Sequence, residues 1–277
     1  MKTYIGKYPV SQGDEFDEST LPAFMERHPY LNAAPLPTFD GESGRYIASA
    51  SPLWRGGGMK TLWWDMIQQQ TSDNAVIISL MERNEEPDPD YIRETTDTLI
   101  PPNEANPTVA YELEANGDET CNVKYTVSLV SSESPIKNVL EYRQLRLQYR
   151  GQSRNLHYIH YPGWANEQGI GNQNMKALID LVNKKQGGTN PMVVSCLRGK
   201  GRTGTFIEAR ETWNLAMAAA KKHKNWLAEQ KQSPFLTYTK AMRKIRSGMV
   251  DSSSQYRFLK SWAQFVWDEV QKILDEN

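Results

Sequence analysis

The segment VVSCLRGKGRTGTF, residues 193–206, holds the side chains best suited to chemistry. Cys196 follows a short apolar run, and Arg202 lies six positions later. Gly199 and Gly201 permit a tight turn between them. A turn of this kind before a helix directs backbone N–H groups and the positive helix end toward one place. The segment therefore predicts a cradle for a phosphate-like dianion.

Three side chains of this segment have complementary chemistry. Cys196, in the field of the cradle, would be favoured as the thiolate, the form of cysteine that attacks phosphorus. Arg202 can hold two phosphate oxygens at once, and the Thr203 hydroxyl can donate to the sulfur when it leaves. The spacing suits covalent phosphoryl transfer through a phosphocysteine, with no metal or cofactor. The predicted phosphate-binding residues are Leu197, Arg198, Gly199, Lys200, Gly201 and Arg202.

Other interpretations of the same segment exist. A lone cysteine at a strand end is commonly a small buried hydrophobe, and a glycine-rich loop before a helix is often only a turn. A nucleotide-binding loop would need glycine at position 194 and serine or threonine at position 201. Val194 and Gly201 stand there instead, which argues against nucleotide binding.

Strand and helix patterns interleave along the chain. An unbroken apolar run over 74–81 predicts a strand buried on both faces, and 107–150 alternates as antiparallel strands do. The segment MVVS predicts a buried strand that leads into Cys196. Helical spacing is predicted at 60–70, around 175–182, after Arg202, over 233–248 and over 252–274. We predict an α/β fold: a single domain with a mixed β-sheet and flanking helices.

The first 45 residues are polar and interrupted by prolines. We interpret residues 1–45 as a partly ordered N-terminal arm and residues 46–277 as the folded domain. The start of the chain lacks the apolar core of a secretory signal, and no apolar run approaches the roughly 20 residues of a membrane span. A cytoplasmic, reducing location is expected, and delivery into a host cell by a signal-less route stays open.

Composition excludes several classes of function. The chain has 32 basic and 33 acidic residues and a formal net charge of -1, which does not suit a nucleic-acid binder. Two cysteines and four histidines, without clustering, predict neither a disulfide framework nor a zinc site. Oligomeric state cannot be inferred from these features.

The loop CLRGKGRTG matches the C-x5-R-[ST] signature of cysteine-dependent protein tyrosine phosphatases. Further segments resemble the tyrosine-specific branch of that family in the same order: TLWWDMI, AVIISLMERNEE, HYPGWANEQGI and AMRKIRSGMVDSSSQYRF. The resemblance implies a twisted mixed sheet flanked by helices, and hydrolysis of phosphotyrosine in phosphoproteins through a phosphocysteine. The tyrosine-bearing loop of the family is not recognisable near residues 30–46, and the short form of this region is similar to bacterial secreted effector phosphatases.

The sequence departs from the family pattern at three functional positions. Ser195 replaces the histidine before the nucleophile, and Asn166 replaces the aspartate that serves as general acid, with Glu167 beside it. Asp251 replaces the first glutamine of the water-positioning loop, whereas Gln255 keeps the second. The resemblance therefore implies catalytic roles for Cys196, Arg202, Thr203, Asn166, Glu167 and Gln255, with Asp251 or Glu167 as further candidates for positioning water.

Two alternatives follow from these departures. Lys200 resembles the lysine of related phosphoinositide phosphatases, and Arg198 adds a second charge; both could equally be solvated loop residues. Loss of the general acid would instead leave a pseudophosphatase that binds phosphotyrosine without turnover.

Overall fold

A computed structural model of the 277-residue chain provides the structure. It describes residues 31–39, 43–52, 58–82, 100, 107–113, 123–137, 139–187, 190–229 and 234–276. The predicted arm lies partly outside these ranges, because residues 1–30 and 40–42 are not among them.

One eight-stranded mixed sheet organises the described residues, with strand order β1-β2-β8-β3-β7-β6-β5-β4. Strands β2, β8, β3 and β7 run parallel to one another, and the remaining pairs are antiparallel. The strands are β1 (Ala33–Pro37), β2 (Ser43–Ala50), β3 (Ala75–Ser79), β4 (Thr108–Leu113), β5 (Val123–Ile136), β6 (Leu140–Tyr149), β7 (Gln152–His160) and β8 (Met192–Cys196).

The parallel strands at the centre are the most apolar part of the sheet. Every residue of β3 and β8 is buried, as expected for strands covered on both faces. Their carboxyl ends align: Ala50 pairs with Cys196, and Ser79 pairs with both Ser195 and His160. The carboxyl edge of a parallel sheet is where α/β proteins bind ligands, so this register brings Cys196 to that edge.

Helices cover both faces of the sheet and confirm the predicted α/β class. Helix α1 packs on one face through Trp63, Trp64, Met66 and Ile67, and the other five helices pack on the opposite face. The helices are α1 (Gly58–Gln70), α2 (Asn172–Lys185), α3 (Gly201–Ala220), α4 (Trp226–Glu229), α5 (Pro234–Ile245) and α6 (Ser253–Asp275).

Two details differ from the pattern in the sequence. Helix α3 begins at Gly201, earlier than the start after Arg202 that the sequence predicts, so Arg202 and Thr203 lie in its first turn. Strand β1 lies within the range predicted as an arm and pairs with β2 at the edge of the sheet. The domain boundary at residue 45 stays a prediction. Over the described ranges, no helix is both long and apolar enough to cross a membrane.

Candidate active site

The loop between β8 and α3 has its backbone carbonyls tied to groups outside it. The amide of Ser51 donates to the carbonyl oxygens of Cys196 (2.9 Å) and Leu197 (3.2 Å). Arg246 donates to the next two, Arg198 O at 2.8 Å from Nη2 and Gly199 O at 2.7 Å from Nε. In a trans peptide unit the N–H points opposite to the C=O, so the amides of 197–200 face away from these donors.

The amides turned away from Ser51 and Arg246 belong to the segment predicted to form the cradle, next to the first turn of helix α3. The amide of Gly199 is already used within the loop, because it donates to Cys196 O at 3.2 Å. No side chain caps the N-terminus of α3, and the first helical bond runs from Gly204 N to Lys200 O. The first N–H groups of a 20-residue helix are therefore available for an anion, and the helix dipole favours one there.

Two of the predicted side chains, Thr203 and Arg202, make contacts that relate them to the site. The Thr203 hydroxyl donates to Cys196 Sγ at 3.2 Å. Arg202 is 1 % exposed, and its Nη1 donates to the carbonyl oxygen of Trp164 at 2.9 Å. The arginine thus connects the phosphate loop to the first residue of the segment predicted to hold the general acid.

Arg246 is the functional residue that the sequence interpretation missed. It is 1 % exposed, and besides the two loop carbonyls it donates to Asn32 Oδ1 at 2.6 Å. A buried guanidinium is tolerated only where its N–H groups are satisfied. Its signal in the sequence is an arginine four residues after Met242, on the apolar side of a helix that ends at Ile245.

Ser195 does not substitute chemically for the histidine of the family pattern. Its hydroxyl donates to the carbonyl oxygen of Ile78 on the neighbouring strand at 3.1 Å. It therefore ties β8 to β3 rather than contacting the sulfur. Among the described residues, Thr203 is the hydrogen-bond donor to Cys196 Sγ.

Residues 164–169 form a loop seated against the start of helix α6. Trp164 is fully buried, and its Nε1 donates to Gln168 O at 2.7 Å. Ser252 Oγ donates to Glu167 O at 2.5 Å, and a Cβ on Gly169 would lie 2.5 Å from Phe258 Cβ. The loop is thus fastened through its backbone.

Asn166, at the position of the general acid, and its neighbour Glu167 have exposed side chains. Glu167 has φ +59°, a conformation uncommon for a non-glycine residue. The structure places both residues next to Trp164, whose carbonyl oxygen contacts Arg202. Their assignment as acid stays a prediction.

Gln255 has a structural role in addition to its predicted role in positioning water. Its Oε1 accepts from the amides of Asp251 (2.9 Å) and Ser252 (3.2 Å), and Ser252 Oγ accepts from Gln255 N, which completes a capping box at α6. A Cβ on Gly201 would lie 2.8 Å from Gln255 Nε2, so the amide rests directly against the start of α3. Asp251 is exposed beside it.

Lys200 and Arg198 occupy different surroundings. The Lys200 side chain runs along the turn that contains Gly248, where a Cβ would lie 3.1 Å from Lys200 Cδ and 3.5 Å from Asp251 Oδ1. The side chain of Arg198 is exposed, although its carbonyl oxygen is held by Arg246.

The fold and the C-x5-R loop together define a cysteine-dependent phosphatase architecture, and sequence comparison identifies the family. The family model described as "Protein-tyrosine phosphatase" matches residues 17–264. The chain therefore belongs to the protein-tyrosine phosphatase family, as the sequence signature predicted.

Individual relatives are distant. Human tyrosine-protein phosphatase non-receptor type 7 is 23% identical over 236 residues, which cover 83% of this chain and 54% of the relative. Tyrosine-protein phosphatase 2 of Dictyostelium discoideum is 25% identical over 235 residues, covering 83% and 52%. The chain spans about half the length of these curated relatives.

Solved structures confirm the fold. The catalytic domain of human protein tyrosine phosphatase non-receptor type 18 superposes with a TM-score of 0.64 at 21% identity, covering 88% of this chain and 77% of that one. A Trypanosoma brucei protein tyrosine phosphatase gives 0.63 at 19% identity, with 91% and 79% covered. The similarity to bacterial effectors stays a prediction.

Gly199 gives a direct test of the loop geometry. It has φ +63°, and a Cβ there would lie 2.3 Å from the backbone carbon and oxygen of Ser49. We expect Gly199→Ala to displace the loop and to weaken binding of orthovanadate at least tenfold, measured by calorimetry. Gly151→Ala is the matched control, because Gly151 has φ +76° but open space around it. The control should cost only the roughly 1–2 kcal/mol of an unfavourable backbone and should leave vanadate binding unchanged; equal loss in both variants would contradict the assigned geometry.

Proposed function

We propose that this protein hydrolyses phosphate monoesters, foremost phosphotyrosine in phosphoproteins, through a phosphocysteine at Cys196. The observation that carries the proposal is the 3.2 Å bond from Thr203 Oγ1 to Cys196 Sγ, beside a loop whose carbonyl oxygens at 196–199 accept hydrogen bonds from Ser51 and Arg246. This arrangement presents a nucleophile, a donor to its sulfur and a set of amides to one anion.

In the first step, the Cys196 thiolate attacks phosphorus while the bond from phosphorus to the tyrosine oxygen breaks. The amides of the 197–202 loop and the Arg202 guanidinium bind the three non-bridging oxygens of the phosphoryl group and stabilise their negative charge during the transfer. The departing phenolate must gain a proton, and Glu167 is the residue of this loop that carries an acid able to supply it.

In the second step, water attacks the phosphocysteine, the sulfur–phosphorus bond breaks, and inorganic phosphate leaves. The Thr203 hydroxyl stabilises the thiolate that is released. Asp251 and Glu167 lie on the two loops that meet at Ser252, so either carboxylate can accept the proton of that water. Gln255 holds the Asp251 loop in place.

A phosphoprotein partner has support from a structural neighbour. Human non-receptor type 18 has been solved in complex with phosphopeptides of HER2. We extend a substrate of that class to this chain on the shared fold and on the loop described above. The predicted cytoplasmic location and delivery route stay predictions.

Replacing the nucleophile separates binding from chemistry. We expect Cys196→Ser to reduce turnover of an aryl phosphate to below about one per cent, because a serine hydroxyl is a far weaker nucleophile at neutral pH. Affinity for a phosphotyrosine peptide should stay within a few-fold of wild type, because the amides and Arg202 remain. Retained turnover would rule out the phosphocysteine. Wild-type binding without any turnover would instead support the pseudophosphatase alternative.

The acid loop predicts a dependence on the leaving group. Tyrosine leaves as a phenoxide whose conjugate acid has a pKa of about 10, and a positioned general acid contributes roughly 10²–10⁴-fold. Asn166 has no proton to give, so wild type should slow steeply as the leaving group becomes more basic. Asn166→Asp should flatten that dependence and accelerate phosphotyrosine hydrolysis at mildly acidic pH.

Rates on three aryl phosphates with graded leaving groups test this expectation. If Glu167 is the acid, wild type already shows a flat series and Glu167→Gln makes it steep. A flat series in wild type that survives Glu167→Gln would contradict both assignments and place the acid elsewhere.

A phosphoinositide is the second candidate substrate, and Lys200 favours it. The Lys200 amine forms no hydrogen bond or ion pair in the described part of the chain, so a further phosphate could engage it. Loss of one charged hydrogen bond is worth roughly 1.5–3 kcal/mol, so Lys200→Ala should lower phosphoinositide hydrolysis about tenfold or more and spare phosphotyrosine peptides. Lys240→Ala, on the exposed side of α5, is the control. Equal small effects on both substrates would leave Lys200 without this role.

A further inference from the structure

A buried carboxylic acid on α3 contacts helix α5 behind the phosphate loop. Glu208 is fully buried, and its Oε2 accepts a hydrogen bond from Thr239 Oγ1 at 2.5 Å. Its other oxygen, Oε1, is buried and has no hydrogen-bond partner. The mechanism proposed above does not use this group, and an amphipathic helix gains nothing from burying a carboxyl at this position.

Glu208 continues a row of α3 residues that faces the connection between α5 and α6. A Cβ on Gly201 would lie 2.8 Å from Gln255 Nε2, and a Cβ on Gly204 would lie 2.7 Å from Val250 N. Residue 208 follows one turn later on the same side. Gly201 and Gly204 thus contact the 249–255 segment near the start of α3. One turn later, Glu208 contacts α5 through Thr239.

Thr239 is aligned along α5 with the residue that braces the loop. Thr239, Met242 and Arg246 follow the spacing i, i+3, i+7 and are all buried. Arg246 donates to the carbonyls of Arg198 and Gly199. Arg246 directly follows the last residue of α5, and its amide still donates to Met242 O at 2.8 Å, as it would in a helix. The position at which Thr239 is held along α5 therefore also sets the position of the Arg246 guanidinium.

A second hydrogen bond joins α5 to the sheet instead of to α3. Tyr238 Oη donates to Pro37 O at 2.7 Å, which ties α5 to β1. That bond fixes the helix against the sheet edge, whereas the Glu208–Thr239 bond fixes it against α3, the helix that begins at the phosphate loop. Among the described contacts, only the second joins the two helices through a buried side-chain hydrogen bond.

We propose that Glu208 and Thr239 form a positioning pair that sets α5 relative to α3 and thereby keeps Arg246 in register with the phosphate-binding loop. Neither residue touches the substrate. The kinetic part of this inference rests on the proposed phosphatase function, but the structural part requires only that the loop binds an oxyanion.

Burial of Glu208 favours its neutral form over the carboxylate. Burial raises its pKa well above the usual value, opposed by the Thr239 hydrogen bond and by the Arg243 guanidinium. Tyr238 is the other titratable group of α5 that interacts with it, and Arg243 itself donates to Met249 O and Val250 O. Glu208→Gln preserves an uncharged acceptor for Thr239 and should leave loop affinity within about twofold of wild type.

The sign of the pH dependence follows from that raised pKa. Below the unfolded-state pKa of about 4.3 both states are protonated. As the pH rises above it, only the unfolded state loses its proton, so the wild type loses stability until the folded-state pKa is passed. The free energy of unfolding of Glu208→Gln should therefore increase relative to wild type as the pH rises, and a difference independent of pH would show that folding does not raise the pKa of Glu208.

The decisive experiment compares the same substitution at two buried threonines. Thr239→Val removes the hydroxyl that contacts Glu208. Thr212→Val removes a different hydroxyl, on α3, which is also buried but has no hydrogen-bond partner. We expect orthovanadate affinity to fall about five- to tenfold in Thr239→Val, the range of one lost hydrogen bond, and to be unchanged in Thr212→Val. Amide hydrogen exchange over 197–203 should accelerate in the first variant only.

Rescue and a milder variant complete the test. Thr239→Ser restores the hydroxyl and should restore vanadate affinity and loop protection. If Thr239→Val does not fold, Thr239→Cys, a weak donor of similar size, should give a smaller loss in the same direction. Equal behaviour of the 239 and 212 variants, or failure of serine to rescue, would overturn the proposal and leave a core-filling role. Vanadate binding without turnover in wild type would overturn the phosphatase function alone.

Discussion

The hydrogen bonds from Arg246 and Ser51 to the carbonyls of residues 196–199 are the interaction on which the site depends. A peptide unit cannot present both its N–H and its C=O to the same side. Holding the carbonyls outward is therefore what turns the amides toward an anion. This arrangement buries the charged Arg246 guanidinium, which is 1 % exposed. The burial is tolerated because the loop carbonyl oxygens and Asn32 accept hydrogen bonds from its N–H groups.

The second dependence is the arrangement of the two loops that border the phosphate loop. Ser252 caps α6 through its contact with Gln255 N and also holds Glu167 O. One hydroxyl therefore joins the candidate acid loop to the turn that bears Asp251. The loss of the family's aspartate and first glutamine leaves two exposed carboxylates, Glu167 and Asp251, on these joined loops. Either carboxylate can take over a role of the lost aspartate or glutamine without a change in the backbone of these loops.

The sequence predicted the parts of this structure that local pattern determines. The run MVVS leads into Cys196 as a buried strand because both faces of β8 are covered, and Thr203 reaches the sulfur because helix geometry places the first turn beside the strand end. Arg246 was missed because its partners lie about 50 residues and more than 200 residues away in the chain. The structural role of Gln255 was missed for a related reason, since Gly201 meets it only once α3 and α6 are packed. Glu208 looks like an ordinary polar residue of a helix until α5 covers it.

The central claim is that Cys196 carries the phosphoryl group during turnover. The most direct measurement is rapid acid quenching of the wild-type protein during hydrolysis of an aryl phosphate, followed by mass spectrometry of the peptide that contains Cys196. We predict one phosphoryl group on that cysteine in the first turnover, appearing with a burst of phenol and absent in Cys196→Ser. Turnover without phosphoryl on Cys196, at times when the burst is complete, would contradict the account.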